Sequence, residues 1–229
     1  MNKVHLIDNM EFMKGIPDKY YELAIVDPPY GIGASRGGNG SRWHKYDRSN
    51  KNAWDDNPPD ESYWFELFRV SKNQVVWGMN NYPLRPTQHF IVWDKKQPDG
   101  VTFAQAELAW TSFNGTSKIY SMSSNGQKNR IHPTQKPVAL YKWLLQNYAK
   151  PGDKIFDSHV GSGSIRIACH DMGFDFEGCE IDKNYWKAQE ERFNTHISQL
   201  DLFSGKELQE STYAEQPDIF ETIRKIKEN

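Results

Sequence analysis

No apolar run in this chain approaches the roughly 20 residues that a membrane-crossing helix needs, and its first residues show no signal-peptide pattern. Mean hydropathy is -0.81, so a water-soluble, cytoplasmic protein with no membrane partner is expected. Cysteine is scarce. Cys169 and Cys179 lack a C-x-x-C spacing, which argues against a disulfide framework or a cysteine metal site and fits a reducing compartment. Both are expected in the core. A strong charge imbalance is also missing: the net charge is -2 and the pI about 6.4, which taken alone speaks mildly against nucleic acid. Internal repeats and long low-complexity runs are absent. At 229 residues the chain has room for one α/β domain with a full core, plus at most a small appendage.

The charge is unevenly placed. Between residues 31 and 52 stand Arg36, Arg42, Lys45, Arg48 and Lys51 against the single acid Asp47. Between 118 and 136 stand Lys118, Lys128, Arg130 and Lys136 with no acid, while from residue 201 onward seven acids face four basic residues. Phosphate binding requires a locally basic surface rather than a basic average. These two segments are therefore either solvated loops or contacts for a polyanion.

Short β-branched and apolar runs alternate with helix-like stretches, the pattern of an α/β sheet. Strands are expected at 4–7, 23–26, 74–77, 90–93, 107–113, 154–156 and 176–180, and helices at 10–15, 61–70, 138–148, 164–172 and 184–199. Pro137 stands at a helix start, where its missing donor costs nothing, and Leu140, Leu144 and Leu145 supply that helix's apolar face. Residues 31–59, rich in Gly, Ser, Asn, Arg and Trp, have little periodicity. A loop that long inside a domain is usually functional or disordered.

Asp27-Pro28-Pro29-Tyr30 directly follows the apolar run 23–26. The carboxyl end of a strand is where open α/β sheets place ligands. The prolines stiffen the turn and fix its carbonyls, and the tyrosine offers a stacking face. That set suits a planar amine, whose delocalised lone pair makes it a poor nucleophile. Acceptors at the Asp27 carboxylate and the Pro28 carbonyl would take its two hydrogens and favour a tetrahedral nitrogen. A base so treated must first leave its duplex.

A second signal is Phe156-Asp157-Ser158-His159-Val160-Gly161-Ser162-Gly163-Ser164, a strand running through a Gly-rich turn into a helix. Such a turn brings backbone N–H groups close to a ligand. Glu180, at the end of the next strand, suits ribose hydroxyls. A dinucleotide would also fit, but Arg166 stands where that fingerprint has its third glycine. A third signal is His132-Pro133-Thr134-Gln135-Lys136-Pro137, whose lysine and hydroxyl at a helix entry could hold a carboxylate or could be only a turn.

In this order the three signals resemble the amino-methyltransferases of DNA in the permuted arrangement called the β class. The resemblance runs from about residue 4 to 196. It implies a Rossmann-like S-adenosylmethionine-dependent methyltransferase fold, a mostly parallel seven-stranded sheet with helices on both faces. It implies S-adenosylmethionine as methyl donor, no metal, and double-stranded DNA as partner in a bacterial or phage setting. The methyltransferase domain would cover 1–200, followed by a tail at 201–229. Carried over by position, Asp27, Pro28, Pro29 and Tyr30 are catalytic. Asp27, Asp157, Ser158, His159, Gly161, Ser162 and Gly163 line the cofactor, Glu180 holds its ribose, and Thr134 and Lys136 meet its methionine end. Asp8 stands where the family tends to place an acid near the adenine, or else is a helix cap.

One departure concerns the Gly-rich turn, where Ser158 and His159 replace the family's proline and phenylalanine and make the pocket more polar. DNA contacts are expected from the loops 31–59 and 112–131, through Arg36, Arg42, Lys45, Lys128 and Arg130. So short a reader implies a short site, a homodimer or a partner chain. D-P-P-Y leans towards adenine N6 and S-P-P-Y towards cytosine N4, which leaves N4-cytosine as the nearest alternative. A non-catalytic DNA-binding relative is another. RNA or protein amines fit less well, since N-P-P-Y and the unpermuted order are absent. A nicotinamide oxidoreductase would leave D-P-P-Y unexplained.

Overall fold

The computed structural model describes residues 1–32, 55–100, 104–123 and 130–203. The chain divides into two units, Met1–Glu191 and Arg192–Asn229. The first is a single sheet with helices on both sides.

The strands are β1 Asn2–Leu6, β2 Tyr21–Val26, β3 Ser71–Trp77, β4 Phe90–Asp94, β5 Ala106–Thr111, β6 Lys118–Ser121, β7 Lys154–Asp157 and β8 Asp175–Glu180. The helices are α1 Asn9–Lys14, α2 Glu61–Val70, α3 Val138–Tyr148, α4 Ser164–Met172 and α5 Lys183–Phe203. Spatial order in the sheet is β1-β8-β7-β2-β3-β5-β4-β6. The first five strands in that order pair in parallel, and β5 runs antiparallel to both of its neighbours. Eight strands among the described residues replace the expected seven. The addition, β6, pairs in parallel with β4 along Ile91↔Lys118 to Asp94↔Ser121. Its four residues alternate half-buried and exposed, with Ile119 left 69% exposed. They carry too little apolar signal to read as a strand, and β4 supplies the missing partner.

Alternation within the parallel strands builds two cores. Leu23, Ile25, Val75 and Ile155 face α3 and α4, packing on Leu140, Leu144, Leu145, Ile165 and Ala168. Ala24, Val26, Val76 and Phe156 face α1 and α2, packing on Met13, Tyr63, Trp64 and Leu67. A strand buried on both faces reads as one apolar run rather than an alternating one, as 23–26 does. Cys169 and Cys179 are fully buried, one in each core, and unpaired.

Local chemistry sets the helix ends. Asp8 accepts from the backbone N–H of Met10 and Glu11 and caps α1. Asp60 does the same for α2 through Ser62 and Tyr63; caps of this kind contribute about 1 kcal/mol each. Arg69, near the end of α2, donates to the carbonyls of Met13 (2.7 Å) and Ile16 (2.8 Å) and so ties α1 to α2. Arg166 explains its own departure from the dinucleotide pattern. It is buried and bridges Asn2 at 2.9 Å, Gln189 at 2.9 Å and Glu190 at 2.7 Å, linking α4 to β1 and α5.

Because β7, β8, β1, β2 and β3 are parallel, their carboxyl ends share one edge. From β7 the chain proceeds outward to β8, and from β2 outward to β3 on the other side. The crevice between β7 and β2 is a topological switch point, where such sheets bind ligands. Among the described residues no helix is long and apolar enough to cross a membrane.

Candidate active site

The turn after β2 is held from several sides. Asp55, buried to 1%, accepts from the backbone N–H of Tyr30 (2.6 Å) and Gly31 (3.1 Å). The Tyr82 hydroxyl donates to the carbonyls of Pro28 (2.6 Å) and Pro29 (3.1 Å). Tyr30 donates its hydroxyl to Asp27 Oδ1 at 2.6 Å, and its ring lies edge-on to Tyr82 with centroids 6.2 Å apart. The ring fits only because residue 78 is glycine: a Cβ there would stand 2.4 Å from Tyr30 Cε1.

Asp27 Oδ2 accepts from Lys136 Nζ, which also lies 3.4 Å from the Tyr30 hydroxyl, 3.1 Å from Glu107 Oε2 and 5.3 Å from the Trp77 ring centroid. Glu107 Oε1 pairs in turn with Lys95. Burial pushes the Asp27 carboxyl above the ordinary carboxylate range; Lys136 opposes that shift and the Glu107 charge adds to it. Burial alone would lower the Lys136 ammonium, but the two carboxylates hold it above the usual lysine value. Burial would likewise raise Glu107, yet Lys136 and Lys95 keep it below its ordinary value. Lys136 and Glu107 are therefore both charged at neutral pH.

A cavity of about 500 Å³ opens beside this cluster, a size suited to a small-molecule ligand. Asp27, Pro29 and Lys136 line it, as do the expected Asp8, Thr134, Ser158, His159, Gly161, Ser162 and Glu180. Glu180 accepts from the N–H groups of Gly161 (2.9 Å) and Asp182 (2.8 Å), which fix its carboxylate on the cavity wall. Ile181, next in the chain, is an apolar side chain 65% exposed on the cavity wall. A carboxylate beside an open apolar face fits a nucleoside.

Asp157 and Gly163 are not among the lining residues. Asp157, 1% exposed, accepts from the His159 N–H at 2.9 Å and braces the turn from behind; burial pushes its carboxyl up to about 8. Gly163 is the N-cap of α4 with φ 71°. Gly178, within β8, lets the turn close onto the sheet, since a Cβ there would meet Val160 Cγ2 at 2.5 Å.

His159 takes part in a polar chain. Its Nε2 lies 2.9 Å from Asn9 Nδ2, its Nδ1 lies 2.9 Å from Ser158 Oγ, and Ser158 Oγ lies 2.7 Å from the Tyr63 hydroxyl. Burial pushes the imidazole down to about 4, so it is neutral. His132, also lining the cavity, is pushed by burial down to about 3, and its Nδ1 is 3.0 Å from Thr134 Oγ1. Among the described residues no group of three His, Cys, Asp or Glu side chains is placed to hold a metal ion.

Arg36, Arg42, Lys45 and Lys128 lie outside the described residues. Arg130 is half-buried, two residues before His132. Sequence reasoning missed Asp55, Tyr82, Asn9, Asp182 and Glu107. Glu107 alone left a trace, as a charge inside the run Ala-Glu-Leu-Ala-Trp.

Residues 71–191 match the family described as DNA methylase, whose members are N6 and N4 amino-methyltransferases. The chain belongs to the DNA methylase family. The match holds the helix entry at Lys136, the Gly-rich turn and Glu180, and begins after the turn at Asp27. Among curated relatives, this family member is 36% identical over 75 residues to Type II methyltransferase M.HpaI of Haemophilus parainfluenzae, covering 32% of this chain and 24% of that protein. It is 28% identical over 145 residues to Type II methyltransferase M2.DpnII of Streptococcus pneumoniae, covering 62% of this chain and 50% of that protein. The matched segments thus span a quarter to a half of those relatives.

The DNA methylase fold is shared with the crystal structure of the M1.HpyAVI–SAM complex, at TM-score 0.57 and 18% identity, over 84% of this chain and 100% of that one. It is also shared with the cytosine-N4-specific PvuII DNA methyltransferase, at TM-score 0.56 and 15% identity, over 83% and 86%.

Proposed function

We propose that this protein transfers a methyl group from S-adenosylmethionine to the N6 amino group of adenine in double-stranded DNA. The observation that carries the reading is that Asp27 and Lys136, paired with each other, stand on the wall of a nucleoside-sized cavity, with the Tyr30 hydroxyl bonded to Asp27 from behind that wall. Glu180 would hold the ribose of the cofactor, Ile7 and Ile181 its base, and the turn at 158–162 would pass alongside. When bound, S-adenosylmethionine supplies an electrophilic methyl group.

The protein's part is to make the target nitrogen nucleophilic. Asp27 accepts from Tyr30 and Lys136, and each carboxylate oxygen keeps a lone pair for the amine. The Pro28 carbonyl, bonded once by Tyr82, keeps one as well. Holding both amine hydrogens localises the nitrogen lone pair out of the ring plane. As the N–C bond forms at the expense of the methyl's bond to sulfur, whose electron pair would stay on sulfur, the nitrogen would become positive, and its proton would then pass to Asp27 or to water. Tyr30 offers the flipped base a face beside these acceptors. The basic loops would supply phosphate contacts, on a short site or to a dimer on a symmetric one.

The test is transfer of labelled methyl to unmethylated duplex DNA, with the product nucleosides identified by mass spectrometry. N6-methyladenine is the expected product; N4-methylcytosine would keep the chemistry and overturn the base. Asp27→Ala is expected to lower turnover by about a thousandfold or more while calorimetric affinity for the cofactor is largely kept. Full turnover in that variant refutes the mechanism.

A further inference from the structure

Glu107 belongs to none of the three sequence motifs and does not line the cavity, yet it touches the charge that touches Asp27. It lies on β5 opposite Trp93 of β4. Lys95 continues β4 with its N–H on the Gln105 carbonyl at 2.9 Å, which makes Lys95 and Glu107 diagonal neighbours on one face of the ladder. The charges therefore alternate from the site outward: Asp27, Lys136, Glu107, Lys95. Lys136 is 3% exposed and Lys95 16% exposed along its side chain.

A buried lysine needs a counter-ion, and Asp27 alone would serve. In that arrangement the carboxylate and the ammonium would neutralise each other, and little negative charge would remain where the amine turns positive. Glu107 changes the balance. Its Oε2 stands 3.1 Å from Nζ, so a second carboxylate shares the ammonium with Asp27.

Resting on the reading above, we infer that Glu107 is a positioning residue for methyl transfer: it offsets the Lys136 ammonium, so that Lys136 fixes the Asp27 carboxylate in place without cancelling the charge that steadies the developing positive nitrogen. The same arrangement sets how readily Asp27 takes a proton. The charged and titratable groups around Asp27 are Lys136, Tyr30 and Glu107, with Tyr82, Tyr63 and Asp157 further off. Removing the Glu107 charge leaves Lys136 wholly to Asp27, which makes protonation of Asp27 harder and that of Lys136 less favoured.

The experiment compares wild type, Glu107→Gln and Glu107→Asp in three measurements: kcat against pH, calorimetric affinity for S-adenosylmethionine, and NMR titration of the Lys136 amine in cofactor-free protein with labelled lysine. Glu107→Gln is expected to lower kcat about tenfold or more, to keep cofactor affinity within about twofold, to move the acid limb of kcat to lower pH, and to lower the pH at which Lys136 titrates. Glu107→Asp keeps the charge and is expected to hold the acid limb in place. It also decides the matter if the glutamine variant does not fold. An unchanged kcat, or an acid limb and a Lys136 titration that both stay in place, overturns the inference. So does a loss of cofactor affinity as large as the loss of rate. Should wild type methylate no DNA, the proposed function falls; the Lys136 titration then decides the coupling alone, supported if lowered and overturned if unmoved.

Discussion

Gly78→Ala puts the geometry of the D-P-P-Y turn under direct test. Gly78 has φ 77° and ψ 30°, a conformation that costs an alanine about 1–2 kcal/mol. The new methyl would lie 2.4 Å from Tyr30 Cε1 and 2.8 Å from Cδ1, so the ring must retreat by about 1 Å to reach ordinary contact. That movement breaks the 2.6 Å hydrogen bond from Tyr30 to Asp27, a net loss of about 1 kcal/mol. Together these predict about 2–3 kcal/mol of destabilisation, or a Tm lowered by about 5–10 °C for a domain of this size.

Gly173→Ala is the control. Gly173 has φ 74° and nothing within 4 Å of the place a Cβ would take, so it carries the backbone strain without the clash. Both variants should melt early in thermal unfolding. Only Gly78→Ala should also lose methyl transfer, by about a hundredfold for a displacement of about 1 Å, with calorimetric cofactor affinity retained. If the two variants lose activity equally, Tyr30 is not held by the space at Gly78 and the reasoning fails.

Tyr82→Phe removes the hydroxyl bonded to the carbonyls of Pro28 and Pro29. It should cost about 1 kcal/mol in urea unfolding and lower kcat more than it raises KM, since the carbonyl it orients acts on the amine; an effect on KM alone would argue against that role. His159→Phe bears on acid stability. In the folded chain His159 is pushed down to about 4 from an ordinary value of 6.5, so on acidification the unfolded chain gains a proton first, and this residue's contribution to stability is lost as pH falls from about 6.5 to about 4. The variant gives up the contacts to Asn9 and Ser158 but is spared that loss. Its urea-unfolding stability relative to wild type should therefore rise as pH falls through the same interval; a difference that stays constant refutes the assignment.

Much of this protein is legible along the chain because its determinants are local. The apolar runs at 23–26, 74–77 and 154–156 form strands since both faces of each are covered, and α2, α3 and α4 begin and end where capping and periodicity place them. The turns at Asp27 and Gly161 follow strands and so come to the carboxyl edge of a parallel sheet. What the chain conceals are partners far apart in sequence. Lys136 reads along the chain as a ligand for the cofactor's carboxylate, whereas the carboxylates it meets in the fold are Asp27, 109 residues away, and Glu107. Tyr82 and Asp55 hold the turn across 54 and 25 residues, and neither carries a local signal of that role. β6 becomes a strand only because β4 offers an unpaired edge. Periodicity and turn chemistry act over a few residues and so can be read from sequence. Charge balance in a buried site depends on which side chains the sheet order brings within a few ångströms, and tertiary structure alone decided that.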